Sequence, residues 1–330
     1  MTAARVWLLS AGALLFIGVL VSQGLAAVMT TLAGAGWGLV LLAAFHLLPL
    51  VIDAAAIRVL MADVRHALRD AVLARWVGES ANSLLPAGQL GGPVLMTRHL
   101  ARLGMAMQDA AAVITVSTTL QTVAQIGFAL IGVALLWLRA SHRPADALSS
   151  SVLIASALLA LQVGGFYLLQ RRGLFARLMR TLHRFSGERD LTQWVSQAAA
   201  IDLAIQRTYD RRACVAASFS LSLAGWLVGT GEVYLILPLL GVAVGLSDAL
   251  LLESLGQAIR GAAFAIPGAL GVQEGGYLLL APLVGLPPDA ALALSLAKRA
   301  REILLGAPGL LYWFFSKRLW RRRQISCDNG

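Results

Sequence analysis

Long apolar runs limit what this chain can fold into more than any other feature of its sequence. A helix needs roughly 20 apolar residues to cross about 30 Å of hydrocarbon. Runs of this kind occur at about 6–28, 37–62, 110–138, 150–170 and 213–242, and a sixth lies in part of 289–316. Because 58% of the residues are hydrophobic and only 13% are charged, the chain needs lipid as its solvent. The sequence predicts an all-α, polytopic integral membrane protein with about six full spans.

Two further stretches, about 72–105 and 249–285, are apolar but interrupted by glycine, proline and polar residues. In lipid, irregular backbone survives only where protein or a water-filled cavity surrounds it. We therefore expect two re-entrant hairpins made of broken helices, in which glycines allow close backbone approach and prolines free carbonyl groups. The expected backbone residues are Pro86, Gly88, Gly91 and Gly92 in the first hairpin and Pro267, Gly268, Gly271, Gly275 and Gly276 in the second.

The two hairpins belong to halves with the same order of features. In each half a proline is followed by glycines, a Gln-containing turn, a Gly pair and an Asp-Ala-Ala that opens an apolar helix at Asp109 or Asp289. We predict a single transmembrane domain over 1–330, built from two repeats of opposite direction at about 5–140 and 148–318. In such proteins the substrate site typically lies at the repeat interface near mid-membrane.

Positive charge indicates the orientation of the chain. The formal net charge is +10, but Lys and Arg stand mostly beside apolar runs, where they set topology rather than bind nucleic acid. A basic amphipathic linker is predicted at about 171–212 and a basic tail at 317–330, whereas the connections near 29–36 and 241–247 contain no Lys or Arg. This asymmetry predicts that both termini are cytoplasmic and removes nucleic acid from the expected partners.

The last helix carries charges where it has to cross the membrane. Residues 303–316 are too few to span, so the helix must recruit the preceding segment with its Lys-Arg-Ala-Arg-Glu sequence. A buried Lys or Arg costs at least ~2.5 kcal/mol on insertion scales, so it should find a partner or an anionic ligand inside the protein. The alternatives are that these side chains snorkel to the interface or that Glu253, Glu274 or Glu302 neutralises them. For the cluster as a whole we predict a cavity for an anionic headgroup.

Polar residues of the hairpins complete the predicted site. A carboxylate in the membrane is a functional candidate by default, although it can also cap a short broken helix. Side-chain amides can form hydrogen bonds with the backbone groups that a broken helix leaves without partners. Asp53 and Arg58 are expected to form interface structure. The histidines show no metal-ligand spacing, so neither a metal nor a cofactor is predicted. The candidate substrate-binding residues are Glu79, Asn82, Gln89, Arg260, Gln273, Glu274, Lys298, Arg299, Arg301 and Glu302.

The hairpin sequences carry a family resemblance. The segments GESANSLLPAGQLGG with RHLARLG, and IPGALGVQEGG followed by a helix containing AKRARE, resemble the transmembrane, flippase-like domain of lysylphosphatidylglycerol synthases and their stand-alone relatives from about residue 5 to 318. A branch of these relatives associated with hopanoid biosynthesis is similar as well. The resemblance implies lipid translocation in a bacterial inner membrane. We expect no aminoacyl transfer, since only a short tail follows Arg318. At Pro93 relatives more often carry an acidic residue, which leaves the headgroup preference open.

Two functions follow from the sequence. The first is a lipid flippase that moves an amphiphile with an anionic headgroup between leaflets, without being an enzyme; no Walker motif is visible, so any energy must come from a gradient, from downhill lipid flow or from a partner. The second is a membrane-embedded enzyme, or an accessory subunit of polyprenyl, glycolipid or hopanoid synthesis, with Glu79 or Glu274 as general base. No nucleophile and base spacing supports the second. The expected partners are a membrane lipid, lipid-biosynthesis enzymes and a second copy of the chain.

Overall fold

The computed structural model describes residues 36–62, 66–85, 91–140, 168, 192–263, 266 and 269–328. These residues form helices joined by turns, and no strand occurs among them. The prediction of an all-α membrane protein is therefore confirmed. Several predicted features fall outside the described residues: the span at 6–28, nearly all of the span at 150–170, the first half of the linker at 171–212, and the hairpin residues Pro86, Gly88, Gln89, Pro267 and Gly268.

Nine α-helices and one short 3-10 helix make up the described part of the chain. They are α1 (Gly38–Leu60), α2 (Leu68–Leu84), α3 (Gly91–Arg102), α4 (Met107–Ala140), α5 (Thr192–Asp210), α6 (Arg212–Leu239), α7 (Leu246–Ala262), α8 (Val272–Leu280), the 3-10 helix Ala281–Val284 and α9 (Pro288–Asp328). Of these, α1, α4 and α6 are long and apolar enough to cross a membrane. They match the spans predicted at 37–62, 110–138 and 213–242.

Helix α9 joins the charged segment to the apolar residues that follow it, while its role as a last span stays a prediction. It begins at Pro288 and continues without a break through Lys298, Arg299, Arg301 and Glu302. The apolar residues that follow, such as Ile303, Leu304 and Leu311, are exposed on the surface of the protein, as expected of a helix that faces lipid on one side. The charged segment and the lipid-facing segment are therefore successive parts of one helix.

Each predicted hairpin stretch contains two helices in mutual contact, α2 with α3 and α7 with α8, and re-entry into the membrane stays a prediction. In the first pair, Gly92 N–H donates to Asn82 Oδ1 over 2.8 Å, and a Cβ on Gly92 would lie 2.5 Å from the carbonyl oxygen of Gly78. In the second pair, Gly276 lies against Ile259. Gly275 departs from the prediction, because its Cβ position meets open space. Close packing therefore requires glycine at Gly92 and not at Gly275.

The starts of the two hairpins are locally alike. Helix α2 begins with Leu-Arg-Asp-Ala and α7 with Leu-Ser-Asp-Ala. In the first, Ala67 N–H donates to Asp70 Oδ2 over 3.2 Å, and in the second, Gly245 N–H donates to Asp248 Oδ2 over 3.1 Å. A carboxylate in the first turn also interacts favourably with the helix dipole. The same short sequence therefore opens both helices in the same way.

The contacts between helices show a twofold relationship between the halves. Helices α1 to α4 correspond in order to α6 to α9. When each helix is replaced by its equivalent, the contact of α2 with α9 becomes the contact of α7 with α4, and both are observed. In the same way, the contact of α1 with α9 becomes that of α6 with α4, which is also observed. The equivalent helices α1 and α6 pack directly on each other. This set of partners is the one that two repeats produce when an approximate twofold axis passes between α1 and α6.

The direction of the two halves follows from the register of α1 on α6. Gly38 lies against Leu239, Gly231 against Phe45, and Gly225 against Asp53. As the residue number rises along α1 it falls along α6, so the two helices are antiparallel. Equivalent helices that run in opposite directions are the mark of an inverted repeat. The repeat boundaries at 5–140 and 148–318 stay predictions, because residues near them lie outside the described part.

Two apolar clusters support the halves. One is formed by buried residues of α6 to α9 such as Leu252 and Leu294, together with Leu136 of the first half. The other is formed by residues such as Leu100 and Ile114, where α1 to α4 meet α5. Each cluster is centred on one half and also includes residues of the other. Ionisable and amide side chains of both halves meet at their interface as well.

Candidate functional site: a charged cavity between the two halves

A cavity of about 470 Å³ lies at this interface, with walls from α1 to α4 of the first half and from α6, α7 and α9 of the second. Its volume is within the range of small-molecule sites. The structure brings six of the predicted site residues together in its lining: Glu79, Asn82, Arg260, Lys298, Arg301 and Glu302. The cavity therefore lies where the substrate site is predicted, and substrate binding there stays a prediction.

Equivalent positions of the two long helices face the cavity from opposite sides. Counted from Asp109 in α4 and Asp289 in α9, Thr118 corresponds to Lys298, Gln121 to Arg301 and Thr122 to Glu302. All six of these side chains line the cavity. The two halves thus place equivalent helix positions at the cavity. At these positions the second half carries charged side chains, and the first half carries uncharged side chains that form hydrogen bonds.

Lys298 is held between two carboxylates. Its Nζ lies 2.6 Å from Oε2 of Glu253 and 3.6 Å from Oε2 of Glu232. The side chains of the lysine and both glutamates are at most 4% exposed. Such a buried charge requires partners of this kind, because removal from water costs several kcal/mol per ion.

Arg301 lies at the centre of a larger group. Its guanidinium nitrogens are 3.6 Å from Glu79, 3.7 Å from Glu232 and 3.8 Å from Glu302. Glu302 also lies 2.6 Å from Arg260 on α7. The interpretation in which glutamates neutralise the basic residues therefore holds for these cations. These carboxylates also line the cavity, so the pairing does not remove the cations from it.

The first half contributes its own ion pair. Arg75 Nη2 donates to Asp53 Oδ2 over 2.7 Å, and Gln121 Nε2 donates to the same oxygen over 2.7 Å. Asp53 was expected to form interface structure with Arg58. The structure corrects this expectation, since the charged partner of Asp53 is Arg75 on the neighbouring helix and both residues line the cavity.

Three predicted site residues lie outside the cavity lining. Glu274 accepts from Gly271 N–H over 2.8 Å at the start of α8, and its Oε1 also accepts from Arg299 Nε over 2.6 Å. Gln273 donates to Ser295 Oγ over 3.1 Å. These bonds attach α8 to α9, and Glu274 is fully buried. The predicted substrate contact of Gln273, Glu274 and Arg299 therefore disagrees with their positions, and helix capping accounts for Glu274.

Five ionisable residues of the lining were absent from the predicted site, namely Asp53, Arg75, Glu253, His46 on α1 and Glu232 on α6. His46 and Glu232 were given no role at all. His46 Nε2 lies 2.6 Å from Oε1 of Glu79, and Nδ1 lies 2.5 Å from Oε1 of Glu232. Each is a single ionisable residue within an apolar run, at Phe-His-Leu and Gly-Glu-Val. This isolation within a span was the signal that could have found them, because a charge there is costly and usually faces the protein interior.

Several polar atoms of the site have spare bonding capacity. Glu232 Oε2 and Arg301 Nε are buried and have no hydrogen-bond partner among the described residues. Buried polar groups are nearly always bonded in native structures, to protein, to ordered water or to a ligand. The residues that line the cavity include both donors and acceptors of hydrogen bonds.

The outer surface has the opposite character. Exposed residues of α1 include Leu41, Leu47 and Leu48, and those of α9 include Phe314 and Phe315. An apolar exterior around a charged interior defines a polytopic membrane protein with a polar cavity between two inverted halves.

Comparison with known families gives this class a specific identity. Residues 6–309 match the family described as the lysylphosphatidylglycerol synthase TM region, and the chain belongs to this family. No curated protein and no solved structure matches the chain. The assignment to a hopanoid-associated branch stays a prediction.

Proposed function

We propose that this protein moves a membrane amphiphile between the two leaflets, with the headgroup in the cavity and the acyl chains in the surrounding lipid. The observation that carries the proposal is the charged cavity between antiparallel halves whose outer surfaces are apolar. Inverted halves can rock about such a site and open it to either side in turn. The family is named after a synthase of a charged phospholipid, which supports a lipid as the substrate.

The lining suggests which headgroup is moved. The basic cluster of α9 predicted an anionic headgroup, and Lys298 and Arg301 are suitable partners for a phosphate. Carboxylates such as Glu79 and Glu232 stand beside them in the lining and only accept hydrogen bonds. We infer that the headgroup contains an anionic phosphate and at least one ammonium or hydroxyl donor. The basic segments support an inner-membrane location in a bacterium with both termini cytoplasmic.

Reconstitution of the full chain in lipid vesicles tests the proposal. Three phospholipids with the same fluorescent acyl chain are compared: phosphatidic acid, phosphatidylglycerol and phosphatidylethanolamine. Movement to the inner leaflet is measured by protection from a membrane-impermeant quencher. We expect faster movement than in protein-free vesicles, with phosphatidic acid the slowest of the three because it has no donor beyond its phosphate. Movement at the protein-free rate for all three lipids would overturn the proposal.

A pair of arginine variants provides the control. Arg301→Gln removes a cation from the cavity. Arg139→Gln removes a cation from a partly exposed ion pair, which Arg139 at the end of α4 forms with Asp248 in α7. We expect Arg301→Gln to slow lipid movement at least tenfold and Arg139→Gln to leave it near the wild-type rate. Mass spectrometry of the recovered lipid completes the test, because a new lipid product would support a membrane-embedded enzyme instead.

A further inference from the structure

His46 is approached by more hydrogen-bonding groups than one protonation state can satisfy. Oε1 of Glu79 lies 2.6 Å from Nε2, and Oε1 of Glu232 lies 2.5 Å from Nδ1. Nη1 of Arg301 lies 2.5 Å from Nδ1 and 2.8 Å from Nε2. Two acceptors and one donor therefore compete for two ring nitrogens.

The chemistry of the imidazole ring divides these contacts into two sets. Protonated imidazole has two N–H donors and can donate to Glu79 and Glu232 at once, but it has no acceptor for Arg301. Neutral imidazole has one donor and one acceptor, so it can donate to one carboxylate and accept from Arg301. One proton therefore decides whether His46 is bonded to two carboxylates, or to one carboxylate and the guanidinium.

These two sets of bonds connect the halves differently. His46 and Glu79 belong to the first half, whereas Glu232 and Arg301 belong to the second. With the proton present, His46 is joined to the second half through Glu232 on α6. Without it, donation to Glu79 can remain while the link to the second half passes to Arg301 on α9. Protonation of a single group thus changes which helix of the second half is bonded to the first.

The charged groups around His46 favour a proton at this place. Among the residues that the structure describes, the ionisable groups of the cavity walls other than His46 are Asp53 on α1, Arg75 and Glu79 on α2, Glu232 on α6, Glu253 and Arg260 on α7, and Lys298, Arg301 and Glu302 on α9, whereas α3 and α4 contribute only uncharged groups. Five of them are carboxylates and four are permanent cations. A protonated His46 therefore makes the lining neutral, which is the cheaper state in a region of low dielectric constant.

We propose that His46 is a proton-binding site through which lipid movement is coupled to a proton gradient. The inference rests on the proposed function and supplies its source of energy. A lipid phosphate that accepts from Arg301 removes the competing donor from His46, so that proton and headgroup bind together. The imidazole takes one proton from water on the side to which the cavity is open, and releases it to water on the other side after the halves rock. Only the N–H bond of the imidazolium forms and breaks.

Vesicles with a pH gradient test this coupling. The full chain is reconstituted with fluorescent phosphatidylethanolamine, a pH-sensitive dye is enclosed, and a gradient of one pH unit is applied in either direction. One pH unit is a tenfold ratio of proton activity, so one proton per lipid shifts the steady-state leaflet ratio toward the alkaline side by up to about tenfold. We expect that shift, together with acidification of an alkaline lumen that depends on the lipid. If lipid still moves but the leaflet ratio is the same with and without the pH gradient, the coupling is overturned and the proposed function is not affected.

Histidine variants locate the proton. His46→Gln keeps one donor and one acceptor but cannot titrate, so we expect its leaflet ratio to be independent of the gradient. His66→Gln is the matched control, because His66 precedes α2 and lies outside the cavity lining, and it should respond as the wild type does. A persistent response in His46→Gln would overturn the assignment to this residue.

A second variant keeps His46 in place in case its replacement prevents folding. Glu232→Gln removes one acceptor of the imidazolium and so disfavours the protonated state. We expect the midpoint of the pH dependence of lipid movement to shift to lower pH in this variant. An unchanged midpoint would place the proton elsewhere. If lipid moves in no condition with the wild type, both the proposed function and the coupling fail.

Discussion

Lys298 Nζ lies 2.6 Å from Oε2 of Glu253, with both side chains almost completely buried. The two residues come from different helices of the second half, α9 and α7, and both line the cavity. Removing one member of a buried pair leaves the other charge without compensation. The pair is therefore expected to contribute to folding as well as to the charge of the cavity.

A double-mutant cycle on this pair measures its contribution to stability. Glu253→Gln and Lys298→Met should each lower the stability of the purified protein by about 3 to 5 kcal/mol, as is usual for broken buried pairs. The double variant should recover most of the loss, because no unpaired charge remains at this contact. Thermal unfolding in detergent measures the effect. Losses that simply add in the double variant would contradict the contact.

Two glutamates predicted together as site residues should behave in opposite ways. Glu274 caps α8 and binds Arg299, whereas Glu79 lines the cavity beside His46. We expect Glu274→Gln to lower the unfolding temperature and to leave the order of preference among headgroups unchanged. Glu79→Gln should change that order with a smaller effect on unfolding. The vesicle assay and thermal unfolding, run on both variants, check this, and a change of headgroup order in Glu274→Gln would return that residue to the site.

Glycine is required at one hairpin position and replaceable at another. A Cβ on Gly92 would meet the carbonyl oxygen of Gly78 at 2.5 Å and the side chain of Asn82 at 2.6 Å, while a Cβ on Gly275 would meet nothing within 4 Å. Gly92→Ala should therefore destabilise the protein by about 1 to 3 kcal/mol, in the range of overpacked sites. Gly275→Ala should stabilise it by up to about 1 kcal/mol, because alanine favours a helix interior. Equal effects of the two substitutions on thermal unfolding would contradict the packing of the first hairpin.

The spans and hairpins could be predicted because local sequence determines them. An apolar run of sufficient length becomes a helix in lipid whatever its neighbours are, which is why α1, α4 and α6 match the prediction. The basic residues of α9 could be assigned to the interior for the same reason, since burial of a charge is too costly without partners. These conclusions need only the composition of one segment.

The pairing of charges could not be predicted in this way. The choice between Glu253 and Glu274 as the partner of Lys298 depends on how α7 and α8 are rotated against α9, and a short helix does not reveal that rotation in its own sequence. Glu232 comes from a distant span, so its position beside Lys298 and Arg301 depends on the packing of the halves. His46 and Glu232 could have been noticed as isolated ionisable residues, but their contact with each other required the antiparallel register of α1 on α6.

That register predicts a compensating pair of substitutions. A Cβ on Gly231 would overlap the ring of Phe45, whereas a Cβ on Gly229, two residues earlier on the same helix, would meet nothing within 4 Å. Gly231→Ala should lower stability by about 1 to 3 kcal/mol through overpacking, and Gly229→Ala should not. Phe45→Leu combined with Gly231→Ala should recover part of the loss, because the shorter side chain makes room for the added methyl group. Thermal unfolding of the three variants and of Phe45→Leu alone measures the coupling, and purely additive losses would show that α1 and α6 do not meet at these residues.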